Sequence, residues 1–501
     1  FEILSVSNAL AHSITAANAQ ATGITTVVLA LGGTGTVVMA AGTANVVNSS
    51  ASLTGTLTLT DTGTATTDAI TFNNTAIGAD DAGDGQALVI NGFETLTINT
   101  TAVGTTTQDY GAITMSADTG GTDTLILIGA DNVTVQAVTA DVIDASALTG
   151  TLTMNAAAVG VTTITGSAGN DTLVGDAAST INGGGGNDTI TGGALNDTIN
   201  GGAGNDTITG GAGNDVIDGG AGNDIIIAAS GGYITAADIL TGGAGTDALH
   251  ITNAADASVA ALDLTGIESI VIKDGAGAAG ADMTLTLTFT AANAVALTID
   301  ATELDIGEDF TLVATDAEVD GVLTVLAGGG TNSISTGDGA DIITGGYGVD
   351  VINGGGGNDE INAGAGNDII TGGVGADVID GEAGTDTYVT SSTQVAASIE
   401  GSGTGTSVGV IINLGATAVT NSAVLANSAS ENLAGNLASV AAGSIAYLFA
   451  DSLVTNSTVV STISNVENVT LTGIGINYVV GSATANIITI GSGDDYIDGG
   501  A

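Results

Sequence analysis

The sequence predicts an all-β fold in which parallel β-roll (β-solenoid) blocks alternate with Thr-rich β-strand modules, β-helix or sandwich-like, with little helix. Three observations predict it. A nine-residue glycine-rich phrase recurs in tandem, as in GGAGNDTITGGAGNDVIDGGAGNDIII at 201–227. Between the arrays, Leu, Ile, Val or Phe alternate with Thr at a period of two, the signature of short half-buried strands. Helical periodicity is scarce, and the one candidate, 429–453, is weakened by Gly435 and Gly443.

Taken in order, residues 1–165 read as one or more β-rich modules, with strand patterns in ASLTGTLTLTD (51–61) and ALTGTLTMNA (147–156). The first array, 166–250, opens with GSAGNDTLV and an imperfect GDAASTIN. Five copies from GGGGNDTIT to GGAGNDIII then follow without a gap, so that Asp188, Asp197, Asp206, Asp215 and Asp224 recur every nine residues. Asp171 stands at the leading edge of this array, and Asp247, in GGAGTDALH, follows an interruption. A β-strand module at 251–335 contains DMTLTLTFT. The second array, 336–389, carries Asp341, Asp350, Asp359, Asp368, Asp377 and Asp386, again nine apart. A β module at 390–480 holds the short helix candidate, and 481–501 starts a truncated third array with Asn486 and Asp495 in register. One phrase recurs outside the arrays: GFETLTI at 92, GIESIVI at 266 and NVENVTL at 465.

Physically, the T-I-T end of a nonapeptide is a minimal strand, and the glycines after it allow a tight reversal, with Asn and Asp also tolerant of left-handed turns. Two such units make a coil of eighteen residues, which predicts two columns of carboxylates. Asp188, Asp206 and Asp224 fall on one side and Asp197 and Asp215 on the other. In the second array the columns are Asp341, Asp359, Asp377 and Asp350, Asp368, Asp386. Carboxylates stacked about 5 Å apart repel unless a cation lies between them. Several Ca²⁺ ions fit best, since Ca²⁺ takes 6–8 oxygens in irregular geometry whereas Mg²⁺ demands an octahedron. The predicted metal ligands are these eleven aspartates with the edge residues Asp171, Asp247 and Asp495. Isolated Asp123, in TGGTDTLIL, reads more simply as a turn residue.

The arrays closely resemble the RTX family, whose nonapeptide is G-G-x-G-x-D-x-U-x with U a bulky apolar residue. The resemblance covers about a third of the chain. It implies a parallel β-roll with Ca²⁺ between successive loops, type I secretion, and folding on meeting extracellular calcium. Interspersed Thr-rich strands further resemble RTX-type bacterial surface-layer (S-layer) proteins, which implies a self-assembling structural protein at the cell surface, with lipopolysaccharide or another surface glycan as a partner through a region outside these residues. A secreted RTX adhesin or fibre stiffened by calcium is the first alternative. The non-catalytic part of a larger extracellular RTX enzyme is the second. Ending inside a repeat and lacking a visible signal, the chain reads as a piece of a longer protein.

Composition excludes other classes. With 53 acidic residues against one basic residue, Lys273, the formal charge is −52, which leaves nothing to displace phosphate counterions on a nucleic acid. No apolar run reaches the ~18 residues of a transmembrane helix. No catalytic residue is predicted: His12 and His250 are the only histidines, no H-E-x-x-H helix exists, and GTSVG at 405–409 matches a nucleophile elbow without the helix or downstream base it needs. Lys273, in IVIKD, reads as a lone basic residue on a strand edge. The chain is accordingly read as no enzyme.

Overall fold

Wherever Thr alternates with aliphatic residues the chain is extended, and each short strand lies parallel to the strand one coil earlier. The computed structural model describes residues 86–100, 107–116, 121–155, 160–176, 178–229, 237–253, 257–274, 282–288, 296–315 and 321–391. It also describes shorter segments at 3–6, 14–15, 26–29, 35–39, 45–49, 56–61, 68–74, 234, 407–413, 419–420, 439–440, 444–449, 460–464, 466, 468–472, 478–481, 486–490 and 496–498. The chain forms two units, Phe1–Ala228 with Gly232–Leu249, and Ala229–Gly231 with His250–Ala501.

In the first unit successive strands fall alternately in two sheets, so that each coil gives one strand to each. One sheet runs in chain order through Ala69–Asn74, Thr95–Thr100, Thr124–Gly129, Val142–Leu148, Thr163–Thr165, Thr180–Gly185, Thr198–Ala203, Val216–Ala221 and Ile239–Ala244, all parallel. The other includes Asn132–Thr139, Leu152–Met154, Thr172–Val174, Thr189–Gly193, Thr207–Gly211 and Ile225–Ala229. Within the array the registers Thr189↔Thr207 and Thr198↔Val216 are eighteen residues apart, so one coil is two nonapeptides. The Thr-rich segments are coils of the same parallel solenoid; of the two kinds expected for them, β-helix describes what they form.

The core is a stack of aliphatic columns. Ile70, Leu96, Leu125, Ile143, Ile164, Ile181, Ile199, Ile217 and Leu240 are each at most 3 % exposed and lie in register from the irregular coils into the array. The N-terminal coils are wider. Their strands bury two side chains each, such as Phe72 beside Ile70 and Ile98 beside Leu96. An array strand buries a single isoleucine, such as Ile190, Ile208 or Ile226. Ile208→Ala removes a fully buried side chain between two others and is expected to cost roughly 2–5 kcal/mol. Exposed Thr198→Ala should stay within about 0.5 kcal/mol. Urea unfolding in saturating Ca²⁺ compares them, and equal costs would contradict a core this narrow.

The second unit repeats the plan. Phe310–Thr315, Ser333–Ser335, Val351–Gly356, Ile369–Val374, Thr387–Ser391 and Asn468–Thr472 form one parallel series. Leu297–Asp300, Leu323–Leu326, Ile342–Thr344, Glu360–Asn362, Val378–Asp380 and Val460–Ser464 form the other. An excursion precedes Val460: Ser444–Phe449 pairs antiparallel with Ser407–Asn413 and with Val460–Ser464.

That excursion corrects the helix expected over 429–453. No helix occurs among the described residues, and Ser439–Val440 and Ser444–Phe449 within that span are strands; its remainder lies outside the described residues. Ser444–Phe449 reads SIAYLF, whose Ile, Tyr and Phe favour strand, and strands on both sides take up its backbone groups. A second correction concerns the turns. Among the described residues Glu382 is the sole non-glycine with positive φ, so the array's Asn and Asp residues are not there for left-handed backbone. Glycine supplies it, as at Gly202 (φ 111°), where a Cβ would overlap the carbonyl oxygen of Gly184 one coil below.

Candidate metal centre

Each array aspartate sits immediately before a strand, where the chain leaves its glycine turn. From there the side chain folds against the neighbouring coil. The backbone N–H of Asp188 donates to Oδ1 of Asp206 at 2.7 Å, and that of Asp206 donates to Oδ1 of Asp224 at 2.8 Å. The Asp197 N–H likewise donates to Asp215 Oδ1 at 2.9 Å. In the second array Asp341 donates to Asp359, Asp359 to Asp377, Asp350 to Asp368 and Asp368 to Asp386, at 2.8–3.2 Å. The carbonyls are used as well: Thr207 N–H donates to Asp188 O and Ile225 N–H to Asp206 O, both at 2.8 Å. The aspartates therefore stand in the two columns per array that the eighteen-residue coil requires.

The edge residues join these columns. Asp171 precedes Asp188, donating to its Oδ1 at 2.7 Å, and its own carboxylate is occupied by the Ser167 hydroxyl and the backbone N–H groups of Ser167 and Leu152. Asp247 ends the column, accepting from Asp224 N–H at 2.8 Å. Asp495 lies outside the described residues. Sequence reasoning missed Asp238, which is 3 % exposed and accepts from Asp215 N–H at 2.6 Å. Its signal was the tail of the phrase, DILTGGAG, which survives although the head before it is lost. Where no aspartate stands, Ser179 N–H donates to Asp197 Oδ1, and Asn332 caps Asp350 through its backbone N–H and its amide Nδ2, at 2.8 and 3.0 Å.

The asparagines explain the rest of the phrase. Asn205 N–H donates to Asn187 Oδ1 and Asn223 N–H to Asn205 Oδ1, both at 2.8 Å. This ladder runs opposite to the aspartate ladder. In the asparagines the earlier coil supplies the acceptor, in the aspartates the later one.

The second carboxylate oxygen is what makes the site. Oδ2 of Asp188, Asp197, Asp206, Asp224, Asp341, Asp350, Asp359 and Asp368 is buried with no hydrogen-bond partner among the described residues, and these side chains are at most 2 % exposed. The glycine that heads most phrases opens the space it faces, Thr336 and Ala363 standing there in the phrases of Asp341 and Asp368. A Cβ on Gly201 would overlap both Asp206 Oδ2 and the carbonyl oxygen of Gly219; one on Gly183 would overlap Asp188 Oδ2 and Gly201 O. A buried carboxylate oxygen and a main-chain carbonyl thus converge on one small niche per half-coil. The donors are all hard oxygens, which suits Ca²⁺. Among the described residues no three His, Cys, Asp or Glu side chains converge, so carbonyls have to supply part of any coordination shell.

Burial penalises the ionised carboxylates and neighbouring aspartates add to it. Asp188 and Asp350 are pushed up to about 7, Asp197 to about 6 and Asp359 to about 8. Asp171, Asp206, Asp215, Asp224, Asp341 and Asp368 are raised by burial too, against the hydrogen bonds they accept. These are groups held in wait of a positive charge.

Among the described residues, the GTSVG serine and His250 stand on separate strands. Ser407 of GTSVG begins the strand Ser407–Asn413 rather than a strand-to-helix turn. His250 is half-buried in Ala248–Asn253 and its pKa is lowered, first by burial and then by Lys273. Lys273 forms an exposed ion pair with Glu303 at 2.6 Å. His12 lies outside the described residues. No helix among the described residues is long and apolar enough to cross a membrane.

Comparison with known proteins agrees with this geometry. A family model described as the RTX calcium-binding nonapeptide repeat matches residues 160–190, 176–208, 191–226, 235–250, 326–361, 353–388 and 471–501, about a third of the chain. No curated protein matches the chain. The matched segments support the RTX family, and the arrays are calcium-binding repeats that take several Ca²⁺ ions.

Proposed function

We propose that the array aspartates, Asp188 to Asp224 and Asp341 to Asp386 with Asp171, Asp247 and Asp495 at the edges, hold Ca²⁺ between successive coils. On this reading the chain is a secreted, calcium-dependent structural protein that self-assembles into a bacterial surface layer. The observation that carries the reading is the pair of buried carboxylate columns in a chain with a single basic residue. When bound, Ca²⁺ supplies the counter-charge those columns need. The chain's residues do the rest. The backbone N–H groups fix one oxygen of each carboxylate, the glycine heading most phrases clears the niche, and the Ile columns exclude water behind it.

Self-assembly draws support from the outer surface. Roughly a dozen Ca²⁺ ions would neutralise about half of the −52 charge, so association calls for further divalent ions between copies. The residue after the aspartate is often aliphatic and exposed, as at Val216, Ile239, Ile342, Val351, Ile369 and Val378, which suits lateral packing. Electron microscopy of the producing cell surface tests the reading. A two-dimensional lattice that dissolves in chelator is expected. Isolated calcium-dependent filaments would favour the adhesin or fibre, and hydrolysis by the full secreted protein would favour the enzyme-associated reading.

A further inference from the structure

The recurring G-Φ-E phrase has no part in the nonapeptide arrays, yet the fold puts its glutamate in the position of the array aspartates. Through the pairing Ala69↔Thr95, Thr95↔Thr124, Thr124↔Val142, Val142↔Thr163, Thr163↔Thr180 and Thr180↔Thr198, the residues that precede these strands form one column. In order they are Asp68, Glu94, Asp123, Asp141, Thr162, Ser179 and Asp197. The array bonding pattern recurs at alternate coils, while the N–H groups of Glu94 and Asp141 donate back to the carbonyls of Asp68 and Asp123, at 3.0 and 2.9 Å. Asp68 N–H donates to Glu94 Oε2 at 2.7 Å and Asp123 N–H to Asp141 Oδ2 at 2.9 Å, as Asp206 N–H does to Asp224. Thr95 N–H donates to Asp68 O at 3.1 Å and Thr124 N–H to Glu94 O at 2.7 Å, as Ile225 N–H does to Asp206 O.

We infer that Asp68 and Glu94 form a further divalent-cation site, for Ca²⁺ or an ion of like hardness, outside the nonapeptide repeats. Asp68 is 9 % exposed and Glu94 5 %, and Asp68 Oδ2 and Glu94 Oε1 have no hydrogen-bond partner among the described residues. The two carboxylates belong to adjacent coils, and the 2.7 Å bond holds one against the backbone of the other. No ammonium or guanidinium compensates them, because the chain's one such group, on Lys273, is paired with Glu303. Two buried, adjacent anions without a counter-charge are among the costliest arrangements in a protein interior, and a shared cation removes the cost. Glu268 also stands immediately before a strand, Ser269–Asp274, where Thr298 N–H donates to its carbonyl at 2.9 Å, but its side chain is half-buried.

Calcium content per full chain, measured by elemental analysis after gel filtration, tests the site. Glu94→Gln keeps an acceptor for the Asp68 N–H while removing the charge. It is expected to bind one ion fewer than wild type, Asp68→Asn to lose the same ion, and the double variant to lose no more. Undiminished content in a folded Glu94→Gln chain overturns the inference, whereas undiminished content in Asp206→Asn would count against the array sites instead. If the variants fail to fold, wild-type crystals soaked in Mn²⁺ decide. An anomalous peak between Asp68 and Glu94 supports the site, and its absence beside occupied arrays overturns it.

Discussion

Chelation of calcium at pH 8 is expected to unfold the two arrays, and the same treatment near pH 5 to leave them substantially more ordered. The sign follows from burial. An aspartate in an unfolded chain titrates near 3.9, whereas Asp197, Asp188, Asp350 and Asp359 in the fold are raised to about 6, 7, 7 and 8. Between those limits the folded metal-free coils bind protons that the unfolded chain does not. Their stability is therefore greatest at low pH and is lost as pH rises through 6 to 8. Calcium has the opposite dependence, because it binds the deprotonated carboxylates. Its affinity should fall as pH falls through the same window, and its binding should release protons. Circular dichroism with EDTA at the two pH values, and calorimetry in buffers of different ionisation enthalpy, measure both effects. A β signal indifferent to EDTA at pH 8 would sink the account.

Asp206→Ala damages one column and spares the other. It removes the acceptor for Asp188 N–H, leaving a buried donor unmatched at a cost of roughly 1–3 kcal/mol. On the proposed reading it also takes a carboxylate from ions shared with Asp188 and Asp224. The Asp197, Asp215 and Asp238 column keeps its bonds. Combined with Asp224→Ala the effects on calcium affinity should be strongly non-additive, and combined with Asp215→Ala close to additive. The reverse pattern would contradict an eighteen-residue coil with the two columns on opposite sides.

The coil, the columns and the kind of ion were legible because the arrays state one phrase at one spacing, so that residue number alone assigns a side. Asp238 was lost where that arithmetic fails: it lies 23 residues beyond Asp215, against 18 between the uninterrupted copies from Asp188 to Asp224. Glu94 was harder still. It follows its partner Asp68 by 26 residues, and no fixed period links the N-terminal coils. Asp123, read as a plain turn residue, belongs to that same irregular column. Ser444–Phe449 was misread for a related reason. Its apolar residues satisfy helical spacing as well as alternation, and only strands distant in sequence decide between them.

The aspartate and asparagine ladders, running opposite ways, give the solenoid a chemical direction. Along the aspartate columns every coil hands its N–H to the coil that follows. The face of an array toward its start thus shows aspartate carboxylate oxygens and asparagine N–H groups, while the face toward its end shows aspartate N–H groups and asparagine side-chain oxygens. At the start of the second array Leu323 and Asn332 of preceding coils supply the matching donors to Asp341 and Asp350. An array is therefore not interchangeable end for end. Shortened from its beginning it exposes carboxylate oxygens that a cation can meet; shortened from its end it exposes aspartate N–H groups that a cation cannot.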